Sequence, residues 1–260
     1  MPPLFYWAFL VLSGVLGLSV GSFANVAAYR VPAGLSVVRP RSACPACGTQ
    51  IKAVDNVPVV SWLLLKGRCR ACGAGISLRY PVVEFGTAVL FVVVALRFGL
   101  SPTVFAYWVL VAACVVITAV DLEHYRVPVA VLYPSWALGA LGLVVASATE
   151  GRWGRLLFAL AGAAIGFSVL LALHLISPKG MGFGDVRLAG FLGMFLGWLS
   201  LVQVAVGLFF GFALGSVVGI ALVVVGARTM RSRLPFAPFL CAGAALAILF
   251  GREIVRVWLS

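Results

Sequence analysis

The 260-residue chain is 63% hydrophobic and only 10% charged, with a mean hydropathy of +1.15. Soluble domains run at roughly 45–50% apolar and about 25% charged, so a water-soluble globule, a disordered chain and a nucleic-acid-binding domain are excluded, as is an outer-membrane barrel, whose alternating strands keep mean hydropathy low. The few charges are lopsided, 19 Lys and Arg against 7 Asp and Glu for a net +12, and in a polytopic helical membrane protein basic residues serve first to fix topology.

A span needs about 20 mostly apolar residues to cross about 30 Å of hydrocarbon. The first lies at 4–29, with no Lys or Arg before Arg30. A cleaved signal peptide has a basic start and a shorter apolar core, so this stretch reads as a retained helix. Further apolar blocks lie at 82–98, 102–120, 129–148, 156–176, 188–205, 207–227 and 236–251, which makes about eight transmembrane helices. Almost nothing polar separates the sixth from the seventh. The fold class is therefore an all-α polytopic membrane protein with one small polar loop domain. Its expected organisation is a first helix at 1–29, a cytosolic loop at 30–80 and a membrane core at 81–260.

The polar loop holds Arg30, Arg39, Arg41, Lys52, Lys66, Arg68, Arg70 and Arg79. The positive-inside rule puts it in the cytosol, and eight spans then leave both termini outside. Arg126, Lys179, Arg187, Arg228, Arg231 and Arg233 also fall on inner loops, against Arg97, Arg152, Arg155, Arg252 and Arg256 outside. The resulting 14 to 5 division supports this orientation, and no polyanion partner or nucleic acid is needed to explain the net charge.

The same loop contains Cys44-Pro-Ala-Cys47 and Cys69-Arg-Ala-Cys72, two C-x2-C pairs separated by 21 residues. Paired knuckles of this kind present four thiolates to one tetrahedral Zn2+, and all-sulfur ligation leaves no open position, so the metal is structural. Two disulfides or free thiols are the other readings, the first disfavoured in a reducing cytosol. Gly48 and Gly73 each follow a second Cys, where the knuckle turn commonly takes a positive φ. Cys114 and Cys241 lie in apolar spans and read as small buried hydrophobes.

With seven acids, each can be weighed. Asp55 lies in the loop, Glu150 and Glu253 stand beside arginines at span ends, and Glu123 shares the turn Asp121-Leu-Glu-His-Tyr-Arg126 and faces water. Asp121 closes the third span, and Asp185 follows glycines in Gly180-Met-Gly-Phe-Gly-Asp185 before an apolar helix. Taken alone, Asp185 reads as a helix N-cap and Asp121 as an interfacial carboxylate paired with Arg126. Together, two acids at the cytosolic ends of their helices suggest a dyad. Two adjacent carboxyls share one proton, so that one takes a proton from water while the other polarises a peptide carbonyl. Glu84, just inside the second span, can pair with Arg79 or Arg30 or face a polar cavity. Asn25 is placed similarly, and packing hydrogen bonds are the other reading for both. His174 reads as a satisfied interior residue, and His124 lies near Asp121 in sequence only.

These residues together resemble the bacterial prepilin peptidases, the type 4 prepilin leader peptidases of the GxGD aspartic protease family A24. In order, the resemblance runs through Gly21-Ser-Phe-Ala-Asn-Val-Ala-Ala-Tyr-Arg30-Val-Pro32, Arg41-Ser-Ala-Cys-Pro-Ala-Cys-Gly48, Asn56-Val-Pro-Val-Val-Ser-Trp62, Gly67-Arg-Cys-Arg-Ala-Cys72 and Ile76-Ser-Leu-Arg-Tyr-Pro-Val-Val-Glu84. It continues through Val120-Asp121, Gly182-Phe-Gly-Asp185 and Pro235-Phe-Ala-Pro-Phe239. The family's first catalytic aspartate matches Asp121 and its second Asp185. The four cysteines and the segment 25–30 match the support of the cytosolic part of the site. Three positions depart: Val129 stands where the family often has a further Asp, Arg187 where it has Lys, and Ala237 where it has Gly.

What the resemblance implies is removal of the short basic leader from type 4 prepilins or pseudopilins at the cytosolic face of a bacterial inner membrane, in type IV pilus or type II secretion systems. Methylation of the new N-terminus by S-adenosylmethionine follows in many members. No glycine-rich fingerprint for that cofactor is present, so methyl transfer rests on the resemblance alone and is assigned no residues. The competing reading is a non-enzymatic membrane assembly or transport subunit whose zinc loop docks a partner. A basic leader is repelled by loop 30–80, which makes Glu123 and Glu84 candidates to receive its charge.

Overall fold

The computed structural model describes residues 3–178, 180–227 and 234–259. Lys179, Arg228, Arg231 and Arg233, assigned above to inner loops, lie outside the described residues. The described residues form α-helices and no named strand, with two isolated bridges in the polar loop. Each apolar block of the sequence becomes a long helix. Six of them are long and apolar enough to cross a membrane: Leu4–Arg30, Arg79–Phe98, Pro102–His124, Val129–Glu150, Gly154–Ile176 and Leu201–Val224. The chain divides into two compact units, Met1–Leu100 and Ser101–Ser260.

The first unit consists of α1 (Pro3–Arg30), the polar loop with the short α2 (Val60–Leu64), and α3 (Arg79–Phe98). Its boundary falls after α3 because α3 packs along α1. Glycines allow the close approach that membrane helices use in place of a hydrophobic driving force. A Cβ on Gly17 would stand 2.6 Å from Ala88 Cα, and one on Gly21 would stand 2.7 Å from Glu84 Cα. Asn25 fastens the same pair by donating from Nδ2 to Tyr80 O at 3.1 Å.

The second unit consists of α4 (Pro102–His124), α5 (Val129–Glu150), α6 (Gly154–Ile176), α7 (Phe183–Leu199), α8 (Leu201–Val224) and α9 (Ala237–Leu259). Helix α7 is the most enclosed, with every residue from Leu188 to Trp198 buried. Gly162 and Gly166 of α6 face Ala189, Gly193 and Gly197 of α7 so closely that an added Cβ would overlap backbone carbonyls. From α4, Tyr107 Oη donates to Phe195 O at 2.8 Å, and Trp198 Nε1 donates to Ser147 Oγ of α5 at 3.3 Å. These bonds tie α4 and α5 to α7, beside the close packing of α6.

The division between the sixth and seventh blocks differs from the expected 188–205 and 207–227. The helices break at Ser200, whose backbone is extended (φ −173°, ψ 155°) and whose hydroxyl accepts the Gln203 N–H at 3.3 Å. A serine N-cap stops one helix and starts the next without any polar run between them.

Candidate active site and metal centre

Helix α4 carries Asp121 one turn from its end, where the carboxylate is buried at 4% exposure. The helix stops because Tyr125 turns into the left-handed region (φ 53°, ψ 42°) and donates its N–H to Asp121 O at 2.9 Å. A buried carboxylate is costly unless hydrogen bonds satisfy it. Asp121 Oδ2 accepts the Ala237 N–H at 3.0 Å, the first helical amide of α9. The N-terminus of a helix offers free amides and a partial positive charge, a ready seat for a carboxylate.

Asp185 stands in the first turn of α7, half-buried, behind an extended Gly182 (φ −73°, ψ 143°). Its N–H bonds Gly182 O at 3.1 Å, and its Oδ2 lies 3.4 Å from where a Gly182 Cβ would stand. Gly184 brings the two helix ends together, because a Cβ there would stand 3.0 Å from Val127 Cβ in the loop that follows α4. That contact sets the start of α7, with Asp185, beside the end of α4 that carries Asp121.

The turn before Asp185 is held from α6. His174 Nδ1 lies 2.8 Å from Met181 O, and its ring rests on Phe183 at 5.6 Å. His174 is thus the satisfied residue the sequence suggested, with a tying role that sequence alone does not reveal. Arg187 stacks over Phe183 at 4.7 Å and Tyr133 at 5.8 Å. Glu123 and His124 are exposed.

Sequence reasoning noted the 235–239 motif but assigned it no part, and it supplies the Asp121 donor. The signal was available as Pro235 and Pro238 around an apolar helix start, a common helix-entry pattern. Glu84 makes a packing hydrogen bond, one of the readings weighed for it above. Its carboxylate is buried at 8% exposure and accepts the Val59 N–H at 2.7 Å, inside the first unit.

In the loop of the first unit, the four thiols of Cys44, Cys47, Cys69 and Cys72 lie within 4.8 Å of one another. The two knuckles repeat one design. Cys44 N–H bonds Thr49 O and Gly48 N–H bonds Cys44 O, just as Cys69 N–H bonds Ala74 O and Gly73 N–H bonds Cys69 O. Gly48 (φ +69°) and Gly73 (φ +74°) take the left-handed turn expected of them. Hydrogen bonding from Thr49 holds the Cys47 thiol down at about 6, and the Cys72 and Ala71 amides lower that of Cys69, whereas Cys72, despite the Ala74 amide, is pushed up to about 11 by its bonds to the neighbouring thiols. The four close sulfurs can hold one metal ion, which binds them as thiolates. Across the loop Arg70 makes a bidentate pair with Asp55, 2.6 Å at its shortest, which holds the Asp55 carboxyl below its ordinary value.

Residues 15–98 match the bacterial peptidase A24 N-terminal domain, and residues 108–224 match the type IV leader peptidase family. A prepilin leader peptidase/N-methyltransferase of Bacillus subtilis is 33% identical over 95% of this chain and 96% of its own length. The chain belongs to the type IV leader peptidase family. A Pseudomonas putida relative of the same name is 36% identical over 95% of this chain and 92% of its own. One from Myxococcus xanthus is 39% identical over 88% and 67%. No solved structure matches the chain. Family membership and the six apolar helices make it a multi-pass membrane protein.

Proposed function

We propose that this chain is a prepilin leader peptidase that uses Asp121 and Asp185 as its catalytic pair, at the cytosolic face of a bacterial inner membrane. What supports the reading is the packing of the start of α7, which carries Asp185, against the loop that follows Asp121 at the end of α4, in a family of leader peptidases. One shared proton suits the reaction. The ionised carboxylate takes a proton from water, and the hydroxide adds to the scissile carbonyl, whose oxygen the protonated partner polarises. The tetrahedral intermediate collapses as the amine leaves with a proton from the dyad, and the C–N bond breaks. The substrate segment must be extended to expose its carbonyl. A Gly at the cut favours this by lowering helix propensity by about 1 kcal/mol relative to Ala.

The test is leader removal in membranes by Asp121→Asn and Asp185→Asn. Each is expected to lose cleavage while keeping fold and membrane insertion. A variant that cuts at the wild-type rate would break the assignment and favour the non-enzymatic subunit.

The loop cysteines fit a structural Zn2+. With Zn–S near 2.3 Å, a tetrahedron has sulfur–sulfur edges of about 3.8 Å, and Cys44 Sγ lies 3.8 Å from Cys72 Sγ. Zinc there would cross-link the two knuckles. The relatives' names support a second step, methylation of the new N-terminal amine with S-adenosylmethionine as donor. Mass spectrometry of the processed pilin N-terminus tests it, since a methyl group adds a fixed mass. An unmethylated product restricts this chain to cleavage.

A further inference from the structure

Residues 57–65, Val-Pro-Val-Val-Ser-Trp-Leu-Leu-Leu, form an apolar run inside the otherwise polar loop. The run is too short to cross a bilayer, yet it is not folded away. Val60 is 49% exposed, Leu63 61% and Leu64 77%. Buried Ser61 and half-buried Trp62 fix the backbone: Ser61 Oγ donates to Val54 O at 2.9 Å and accepts the Val57 N–H at 3.0 Å. Trp62 Nε1 donates to Ile76 O at 3.0 Å.

The depth of the run is fixed by Glu84. A 20-residue helix is about 30 Å long, only enough to cross the hydrocarbon, so Arg79 and Arg97 mark the two boundaries of α3. Glu84 stands five residues inward from Arg79, about 7–8 Å along the axis. The 2.7 Å bond from the Val59 N–H to Glu84 therefore draws the loop back to the level of the second turn of the span. Val59 itself stands at φ 62° and ψ −51°, in a γ-turn closed by Val60 N–H to Pro58 O at 2.6 Å. For a β-branched residue that conformation is strained and needs surrounding structure to maintain it. Exposed Tyr29 and Tyr80, at the ends of α1 and α3, are the aromatic residues favoured at the membrane boundary. Lys52, Lys66 and Arg68 flank the run, with stems that reach from apolar surface to headgroups.

We propose that residues 57–65 are an interfacial membrane segment. They insert Val60, Leu63 and Leu64 into the lipid beside α3, held at that depth by Glu84, with Lys52, Lys66 and Arg68 meeting anionic headgroups. The occupant of this apolar face is lipid because a face at the depth of a span, rimmed by cations, meets acyl chains below and phosphates above. The loop becomes a partly embedded domain whose position follows the bilayer.

A benzophenone amino acid placed at position 64 of the full chain tests this in nanodiscs of mixed phosphatidylcholine and phosphatidylglycerol. Position 38 is the control, because Val38 is also 77% exposed and exposure alone treats the two alike. The expected result is on the order of tenfold more acyl-chain adduct at 64 than at 38, in keeping with burial of a Leu side chain. Equal adduct at the two positions overturns the proposal. So does an adduct to protein, whether to this chain, a second copy or an added prepilin. Position 63 gives the same readout where a label at 64 prevents accumulation. The assay reads no cleavage, so its failure and that of the peptidase reading are distinguishable.

Discussion

A carboxylate buried one turn from the end of an apolar helix needs a donor, and Asp121 takes the Ala237 amide. The donor is backbone, so no side-chain truncation removes it, but proline does, and proline is well accepted at the first position of a helix. Ala237→Pro should keep α9 and strip Asp121 of this bond. A hydrogen bond to a charged group contributes about 1.5–3 kcal/mol, so cleavage should fall by roughly 10- to 100-fold. Ala237→Gly retains the N–H and should lose far less. Leader-removal rates in membranes, read beside thermal unfolding of both variants, check the difference. If the two lose activity equally, size at 237 matters and the amide does not. Glu84 shows the same need met differently. As a buried acid it satisfies a loop amide, a packing bond weighed from the sequence, which did not name its partner.

Among elements, the cysteine knuckles were the most legible because spacing alone determines them. Four cysteines in two C-x2-C pairs, each followed by glycine, leave few alternatives, and the folded turns repeat one another bond for bond. Gly73→Ala should test how much the turn depends on glycine. A left-handed residue with a Cβ costs about 1–2 kcal/mol, so zinc affinity should drop about tenfold in competition with a chromophoric chelator. Gly75→Ala is the control, since its φ is ordinary and its Cβ position is open. Equal affinity in both variants would show that the turn tolerates strain. The apolar helices were legible as blocks, because hydropathy reports length. Their edges were less so where a single serine does the separating. The pattern Ser200-Leu-Val-Gln203 carries a capping-box signature, but it lies inside an unbroken apolar stretch where composition hides it. What joins the helices was not legible at all. The approach of Gly162 to Gly193, or of Gly184 to Val127, depends on partners distant in sequence. The pairing of Asp121 with Asp185 was inferred from the scarcity of acids and depends on that packing.

For the whole molecule, the decisive quantity is the side of the membrane that loop 30–80 faces. A leader peptidase must meet a basic leader before its substrate is exported, so the proposed function requires the loop and its zinc in the cytosol. The sequence supports this through the excess of Lys and Arg in that loop, since translocating short loops rich in cations is unfavourable. Trypsin supplies a direct reading, because Lys52 is exposed and lies outside the knuckles. In spheroplasts, where only the outer face is reachable, the loop should stay intact. In inverted membrane vesicles it should be cut, giving a fragment with α1 separated from one that begins before α3. Prior chelation of the metal should hasten the cut at Lys66 and Arg68, which stand next to the second knuckle, more than at Lys52. Cleavage in intact spheroplasts would invert the topology. It would leave the zinc loop on the oxidising side, where its thiols would form disulfides, and it would remove the ground for a cytosolic leader peptidase even if Asp121 and Asp185 stand together.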